Sequence, residues 1–418
     1  MSEKIHAVAA RRIFDGVALR KDSAVVIEGD TIAAVVPRSE LSSTTSCVDL
    51  AANAWLAPGF IDIQVNGGGD ILFNDEPTPD AIRSIAAAHR KSGTTSLLPT
   101  LISDSPEKMA AACRAVESLV GVEPSVLGIH LEGPFLSLEK PGVHDPRALR
   151  QPSQEDLKLL TAPRRGAMLV TLAPERVPLE FIAALAAAGV RVSLGHSMAT
   201  YAQTKEAMAA GLTCFTHLFN AMRPLDSREP GPIAAALESE QACFGMIVDG
   251  VHVAPAMLRL ALRGRAKPIV VTDAMPPVGG THASFQLQSE TILVRGDRCV
   301  RSDGKLAGAY LTMADAVRHC VGMLGVPLTD ALRFASAHPA EMLGLDRRLG
   351  KLAPGFQADM VAFDGTTINV LGTWVAGSHQ SRSLTASDKR SYTPKQAQNC
   401  LEMPEKPNGR AAAKPSRS

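Results

Sequence analysis

Eight short apolar runs separated by helix-length stretches constrain this 418-residue chain more than any other feature. They read IDIQVNG (61–67), TSLLPT (95–100), VLGIHLEG (126–133), AMLVTLAPE (167–175), VRVSLGH (190–196), LTCFTH (212–217), FGMIVD (244–249) and PIVVTD (268–273). Near-continuous apolar strands belong to parallel sheets covered on both faces, and parallel neighbours need long crossover connections. Ala-rich segments at 79–93, 178–190 and 200–211 supply such crossovers. Gly93, Gly189 and Gly211 stand where each helix must stop before the next strand. An open doubly wound sheet can also hold eight strands, but no GxGxxG follows the first. The pattern therefore predicts an α/β fold closed as a (β/α)8 TIM-type barrel.

Both flanks have a different texture. Residues 1–57 contain β-rich pieces such as SAVVIEGDTIAAVV (23–36), with EGD as a hairpin turn. After the eighth run, residues 282–310 are strand-like with Gly and Asp turns, an excursion from the eighth loop. Helical pieces follow at 312–324 and 329–344, and β character returns at 350–377. The expected division is a barrel over 58–345, with 1–57 and 346–380 pairing in one small β domain. Residues 381–418 are rich in Ser, Lys, Pro, Gln and Asn and poor in large apolar side chains, so a disordered tail is expected there.

Composition narrows the function. Lys and Arg number 43 against 42 Asp and Glu, a net charge of +1, which provides no broad field for a nucleic acid. Aromatic residues at 4% offer few platforms for base stacking. The cysteines, at 47, 113, 214, 243, 299, 320 and 400, are odd in number and never spaced CxxC. That distribution fits reduced thiols in a cytoplasmic protein better than a disulfide framework or a thiolate zinc site. No signal-type apolar segment and no run of about 20 apolar residues occurs, so neither secretion nor a membrane span is expected.

Residues that end barrel strands converge on one face, where barrel enzymes place their chemistry. The third run ends in Glu132, the fifth in His196, the sixth in His217 and the eighth in Asp273. Glu and two His suffice to hold a divalent metal with a position left open for water, and Asp273 stands apart as a general base. Taken singly, a strand-end His can be a satisfied structural group, and Glu132 or Asp273 can cap a loop; four together argue for a metal hydrolase. Many barrel hydrolases carry HxH on the first strand, where this chain has Gln64 and Asn66. The fourth strand also lacks the lysine of bridged two-metal sites, ending instead in TLAPE. Both absences point to one metal. Gln64 either contacts a water on that metal or satisfies loop backbone.

The stretches LAPGFIDIQVNGGGDILFND, GIHLEGPFLS, KPGVHDP, VTLAPE, SLGHS, THLFNAM, SREPG, DGVHV, VTDAM and GKLAPGFQADMVAFD run from about residue 55 to 365. In that order they resemble the N-acetylglucosamine-6-phosphate deacetylase family of the amidohydrolase superfamily. HLEGPF and THLFNAM are distinctive, whereas GKLAPGFQADMVAFD supports only the superfamily. The resemblance implies a (β/α)8 barrel with a small β-sandwich built from both chain ends. It implies Glu132, His196 and His217 as ligands of one divalent metal, zinc foremost, with iron, cobalt or manganese also accepted. Asp273 becomes general base and acid, with metal-bound hydroxide as the nucleophile.

It further implies that His144 contacts the acetamido group. Asn220 and the backbone of Ala221 cradle the sugar phosphate, and Arg228 and His252 add contacts, some of them across a homodimer interface. Arg228 has the fork geometry that suits a phosphate, or it pairs with Glu229 on the surface; His252 is otherwise a loop-packing residue. His130 is assigned to supporting Glu132, and His89, His319 and His338 to structure. The implied reaction converts N-acetylglucosamine 6-phosphate to glucosamine 6-phosphate and acetate. Three alternatives remain open: the N-acetylgalactosamine 6-phosphate epimer, another amidohydrolase activity, and a non-catalytic oligomeric scaffold.

Overall fold

The structure, a computed structural model, describes residues 5–381. Its centre is a parallel eight-stranded sheet whose spatial order follows the chain. The strands are Phe60–Val65, Thr94–Ile102, Gly128–Glu132, Ala167–Leu172, Arg191–Leu194, Leu212–Phe215, Cys243–Ile247 and Lys267–Val271, one in each predicted run. They are called the first to eighth barrel strands below. The first, second, third and seventh are buried along their whole length, so even the polar residues that alternate along the first and third, Asp62, Gln64, His130 and Glu132, lie inside the protein.

The barrel closes between its eighth and first strands without a regular ladder. Backbone bonds lie only above the strand ends: Asp273 N–H donates to Gln64 O (3.0 Å), and Asn66 and Gly67 N–H both donate to Ala274 O (3.0 Å each). Below them the side chain of Asp62 spans the seam. Its carboxylate accepts from the Thr272 hydroxyl (2.5 Å), the Thr272 N–H (3.3 Å) and the Gln64 N–H (3.2 Å).

Crossover helices form where expected. Helix Pro79–Arg90 starts on Thr78, whose hydroxyl accepts the Ala81 N–H (3.3 Å), with Pro79 at a position whose N–H would be unused anyway. Ala81, Ile82, Ile85, Ala86 and His89 recur at helical spacing and face the sheet. Burying each Ile contributes about 1.5–3 kcal/mol. The helix stops before Gly93, which has φ +87° and whose Cβ position lies within 3.0 Å of the Phe60 ring. A side chain at 93 would block both the turn and the first strand.

The flanking segments combine in a second sheet. His6–Phe14, Leu19–Glu28, Thr31–Pro37, Ser46–Asp49 and Ala54–Pro58 are joined by Met360–Asp364, Val370–Val375 and Ser378–Ser381. Ala54–Pro58 pairs antiparallel with Met360–Asp364, so strands from opposite ends of the described chain meet there. One core of this sheet holds Val25, Ile27, Leu56, Met360 and Trp374, while Phe14, Ala57, Val361 and Phe363 pack into the barrel's own core.

The excursion after the eighth strand is a four-stranded antiparallel sheet of Ser284–Leu287, Glu290–Arg295, Arg298–Val300 and Leu306–Ala309. Helical character over 329–344 resolves into two helices, Leu328–Phe334 and Ala337–Leu343. The break has a partner, because Ala335 O accepts the Ile61 N–H (2.9 Å) at the foot of the first strand. The tail predicted over 381–418 lies, but for its first residue, outside the described residues. Among the described residues no helix is long and apolar enough to cross a membrane.

Candidate metal centre and active site

Glu132 is the last residue of the third strand. His196, His217 and Asp273 each stand two residues beyond the fifth, sixth and eighth. All three are left-handed, with φ of +48°, +31° and +52°. For non-glycine residues that conformation costs about 1–3 kcal/mol apiece and persists only where surrounding contacts enforce it. Gly195, just before His196, has no room for a Cβ, which would meet Thr171 Cγ2 at 2.6 Å.

The three predicted ligands converge. His217 Nε2 lies 3.0 Å and His196 Nε2 3.3 Å from Glu132 Oε1, and the two Nε2 atoms are 3.2 Å apart. All three residues are buried. His196 Nδ1 faces Lys140 O at 2.8 Å, and a carbonyl can only accept, so Nδ1 carries the proton and Nε2 presents a lone pair. Burial pushes Glu132 upward in pKa, but the two imidazoles outweigh it and hold the carboxyl well below its ordinary range. An anionic oxygen and imidazole nitrogens within 4.8 Å of one another fit a divalent cation. That donor set accepts zinc, iron, cobalt or manganese.

Asp273 flanks this group. Asn66 Nδ2 donates to its Oδ1 (2.6 Å), and Gln64 Nε2 lies 3.3 Å from the same oxygen. Gln64 Nε2 is also 3.3 and 3.4 Å from the oxygens of Glu132, so its amide bridges the two carboxylates. Burial and the negative charge of Glu132 raise the pKa of Asp273 above the usual carboxylate value. A raised pKa makes the group a better proton acceptor once ionised.

His144 packs edge-on against His196, with ring centroids 4.5 Å apart. Its Nδ1 accepts the Ser103 N–H (3.2 Å), which places the ring proton on Nε2. Nε2 is buried with no hydrogen-bond partner. Burial, then the neighbouring His196, pushes the His144 pKa down to about 3, so the ring stays neutral and offers one N–H donor.

Of the remaining predicted residues, Asn220 and Ala221 follow shortly after His217 in the chain, whereas Arg228 is not brought to the centre. Asn220 Nδ2 donates to His217 O (3.2 Å), and Ala221, at φ +48°, accepts the Ser197 N–H on its carbonyl (3.0 Å). His252 Nδ1 bonds Asp249 Oδ2 (2.6 Å). Arg228 is exposed, and among the described residues no carboxylate pairs with its guanidinium. Glu229 is instead occupied by the Tyr201 and Gly231 N–H groups (2.7 and 3.1 Å). Arg228 does not touch the Glu-His-His group.

His130 does not touch the Glu132 side chain. It spans Thr171 Oγ1 (2.8 Å) and Thr100 Oγ1 (3.2 Å), and hydroxyl contacts continue from Thr171 to Thr216 (2.7 Å) and from Thr216 to Ser193 (2.7 Å). His89, His319 and His338 donate to the carbonyls of Gly67 (2.9 Å), Val248 (2.7 Å) and Pro268 (2.8 Å).

Three residues were not foreseen. Ser103 fixes the His144 tautomer, and Asp249 holds His252. Glu175 accepts the Ser197 hydroxyl (2.7 Å) and the Met198 N–H (2.5 Å), tying down the loop that follows His196. Only Asp249 left a signal, as an acid three residues before a His in DGVHV.

A closed parallel barrel with Glu, two His and an Asp at its C-terminal rim defines the class of metal-dependent barrel hydrolases. Residues 55–384 match the Amidohydrolase family model, and the chain belongs to that family. It is 42% identical to an N-acetylgalactosamine-6-phosphate deacetylase from Shewanella sp. (strain ANA-3), over 77% of this chain and 82% of that protein. It is 36% identical to an N-acetylglucosamine-6-phosphate deacetylase from Haemophilus influenzae, over 85% of this chain and 94% of that one. The crystal structure of N-acetylglucosamine-6-phosphate deacetylase from Pasteurella multocida superimposes with a TM-score of 0.87 at 35% identity, covering 90% of this chain and all of that one. A mutant of the Mycobacterium smegmatis enzyme in complex with N-acetyl-D-glucosamine-6-phosphate gives 0.82 at 34% identity, covering 90% of this chain and 99% of that one.

Proposed function

We propose that this chain hydrolyses the acetamide of N-acetylglucosamine 6-phosphate, giving glucosamine 6-phosphate and acetate. The observation that carries the reading is the buried Glu132–His196–His217 group with Asp273 bridged to it through Gln64. A divalent ion held there, one per chain and zinc by preference, supplies Lewis acidity that polarises a carbonyl and acidifies water. Asp273 has Oδ1 engaged by Asn66 and Gln64, so Oδ2 is the atom that takes a proton from the attacking water. His144 Nε2–H donates to the acetamide oxygen as negative charge develops on it. Asp273 then returns its proton to the departing amine, which leaves poorly as an anion.

Asn220, the Ala221 backbone, His252 and Arg228 are assigned to the sugar phosphate. The exposed guanidinium of Arg228 supports a reading in which a second copy of the chain completes that contact in a homodimer. A second substrate reading, the galactosamine epimer, is favoured by the name of the 42% identical Shewanella relative.

The test is acetate release from N-acetylglucosamine and N-acetylgalactosamine, each with and without a 6-phosphate, on protein whose metal content has been measured. Fast release from the 6-phosphates at one metal per chain is expected, and the faster epimer decides between the two substrates. Metal-loaded protein that releases acetate from none of the four would overturn the proposal.

A further inference from the structure

A second pair of reactive groups lies in the barrel wall, outside the deacetylation site. Cys214 on the sixth strand and Cys243 on the seventh are directly opposite in register. Their sulfurs are 2.9 Å apart, closer than unbonded sulfurs normally approach. Both are buried and line a small cavity with His130, Ser193, Thr216 and Met342. Neighbouring strands run about 4.7–4.9 Å apart, which falls inside the Cα spacing of about 4.4–6.8 Å that a disulfide requires. The register and the sulfur separation are therefore compatible with a bond.

The surroundings distinguish this pair from the other described cysteines. Arg191 and Lys267, at the feet of the fifth and eighth strands, put positive charge near the two sulfurs. The contact between the two sulfurs lowers the Cys214 pKa, and that contact together with burial holds the Cys243 thiol well above its ordinary value, so Cys214 is the one of the two that ionises. Burial instead pushes Cys113 up to about 11, and Cys299 and Cys320 up to about 12. The thiolate is the reactive form, so Cys214 is the favoured nucleophile among them.

We propose that Cys214 and Cys243 form an oxidisable dithiol that closes, with hydrogen peroxide as oxidant, to an intrachain disulfide joining the sixth and seventh barrel strands. The Cys214 thiolate attacks one peroxide oxygen and the O–O bond breaks. The hydroxide released takes up the proton that Cys214 lost, giving one water and Cys214 sulfenic acid. The Cys243 sulfur then attacks the sulfenic sulfur. The S–S bond forms, the S–O bond breaks, and the Cys243 proton leaves with the hydroxyl as a second water. Two thiols are oxidised and one peroxide is reduced to two waters. The bond closes a loop from 214 to 243, so the oxidised chain should unfold several degrees higher than the reduced one.

The experiment uses the full-length, metal-loaded chain, reduced and then exposed to a small excess of hydrogen peroxide. Thiols are counted after denaturation, and the unreduced protein is digested with trypsin, which cuts between the two cysteines at Arg228. The thiol count should fall by two from seven. The peptides containing 214 and 243 should be joined, with the mass of two hydrogens missing. Cys214→Ala and Cys243→Ala should each lose no thiol pair under the same treatment. Full retention of thiols in the unmutated chain, a bond to any other cysteine, or a lower unfolding midpoint after cross-linking would overturn the proposal.

Discussion

Replacing Asp273 by Asn separates proton transfer from positioning more cleanly than any other single change at this site. The Asn oxygen can still accept from Asn66, now 2.6 Å away, and from Gln64 at 3.3 Å. The backbone turn also survives, because Asn tolerates the left-handed φ of +52° nearly as well as Asp. Glu132, His196 and His217 are untouched. What the variant lacks is a group that can take a proton from water and return it to the amine, a role worth about 10²–10⁴-fold in rate. At 1.36 kcal/mol per decade this raises the barrier by about 3–5 kcal/mol. Metal content measured beside steady-state acetate release should give a kcat lowered by that factor, a nearly unchanged KM and full metal occupancy. A kcat within tenfold of the unmutated chain would refute the assignment of Asp273 as base. Loss of metal would instead show that Asp273 helps hold the ion.

His144→Ala removes a single unpartnered N–H donor and should lower kcat about 10²-fold with little change in metal content; a purely KM effect would exclude oxyanion contact. Arg228→Ala should weaken turnover of phosphorylated substrates far more than of unphosphorylated ones, and equal damage in the two kinetic series would exclude a phosphate contact. Asp62→Asn tests the buried carboxyl at the seam, whose pKa burial pushes from 3.8 up to about 7. Its protonated form stabilises the fold fully below about pH 4, and that stability is lost as pH rises through 7, by up to about 4 kcal/mol. Urea midpoints of the variant should therefore fall less steeply from pH 4 to 7 than those of the unmutated chain, and parallel curves would contradict the assignment.

The barrel strands are legible in sequence because burial on both faces writes them as short, largely apolar runs between helix-length stretches. Glu132, His196 and His217, the proposed metal donors, are legible because they end those runs. The devices that aim the donors are not, because each joins residues distant along the chain: Asp62 with Thr272, 210 positions on, His144 with Ser103, 41 away, and Glu175 with Ser197, 22 away. Neither do the left-handed turns at His196 and His217 announce themselves, since His gives no hint of a conformation that Gly would signal. The break at Ala335 is hidden for the same reason as the seam, its partner being Ile61. Cys214 and Cys243 looked scattered because only the register of two neighbouring strands brings them together.

Because no backbone ladder joins the eighth strand to the first below residue 64, the barrel has a fault line on its wall. Asp273 stands on one side of that line and Gln64 and Asn66 on the other. The proposed proton acceptor thus stands at the one joint of the ring that has no regular backbone ladder. On gentle heating or in low denaturant this joint is expected to part first, which amide exchange of Gln64, Asn66 and Asp273 would reveal. Catalytic geometry would then fail while the other seven strand pairings, and the helical signal they support, remain intact.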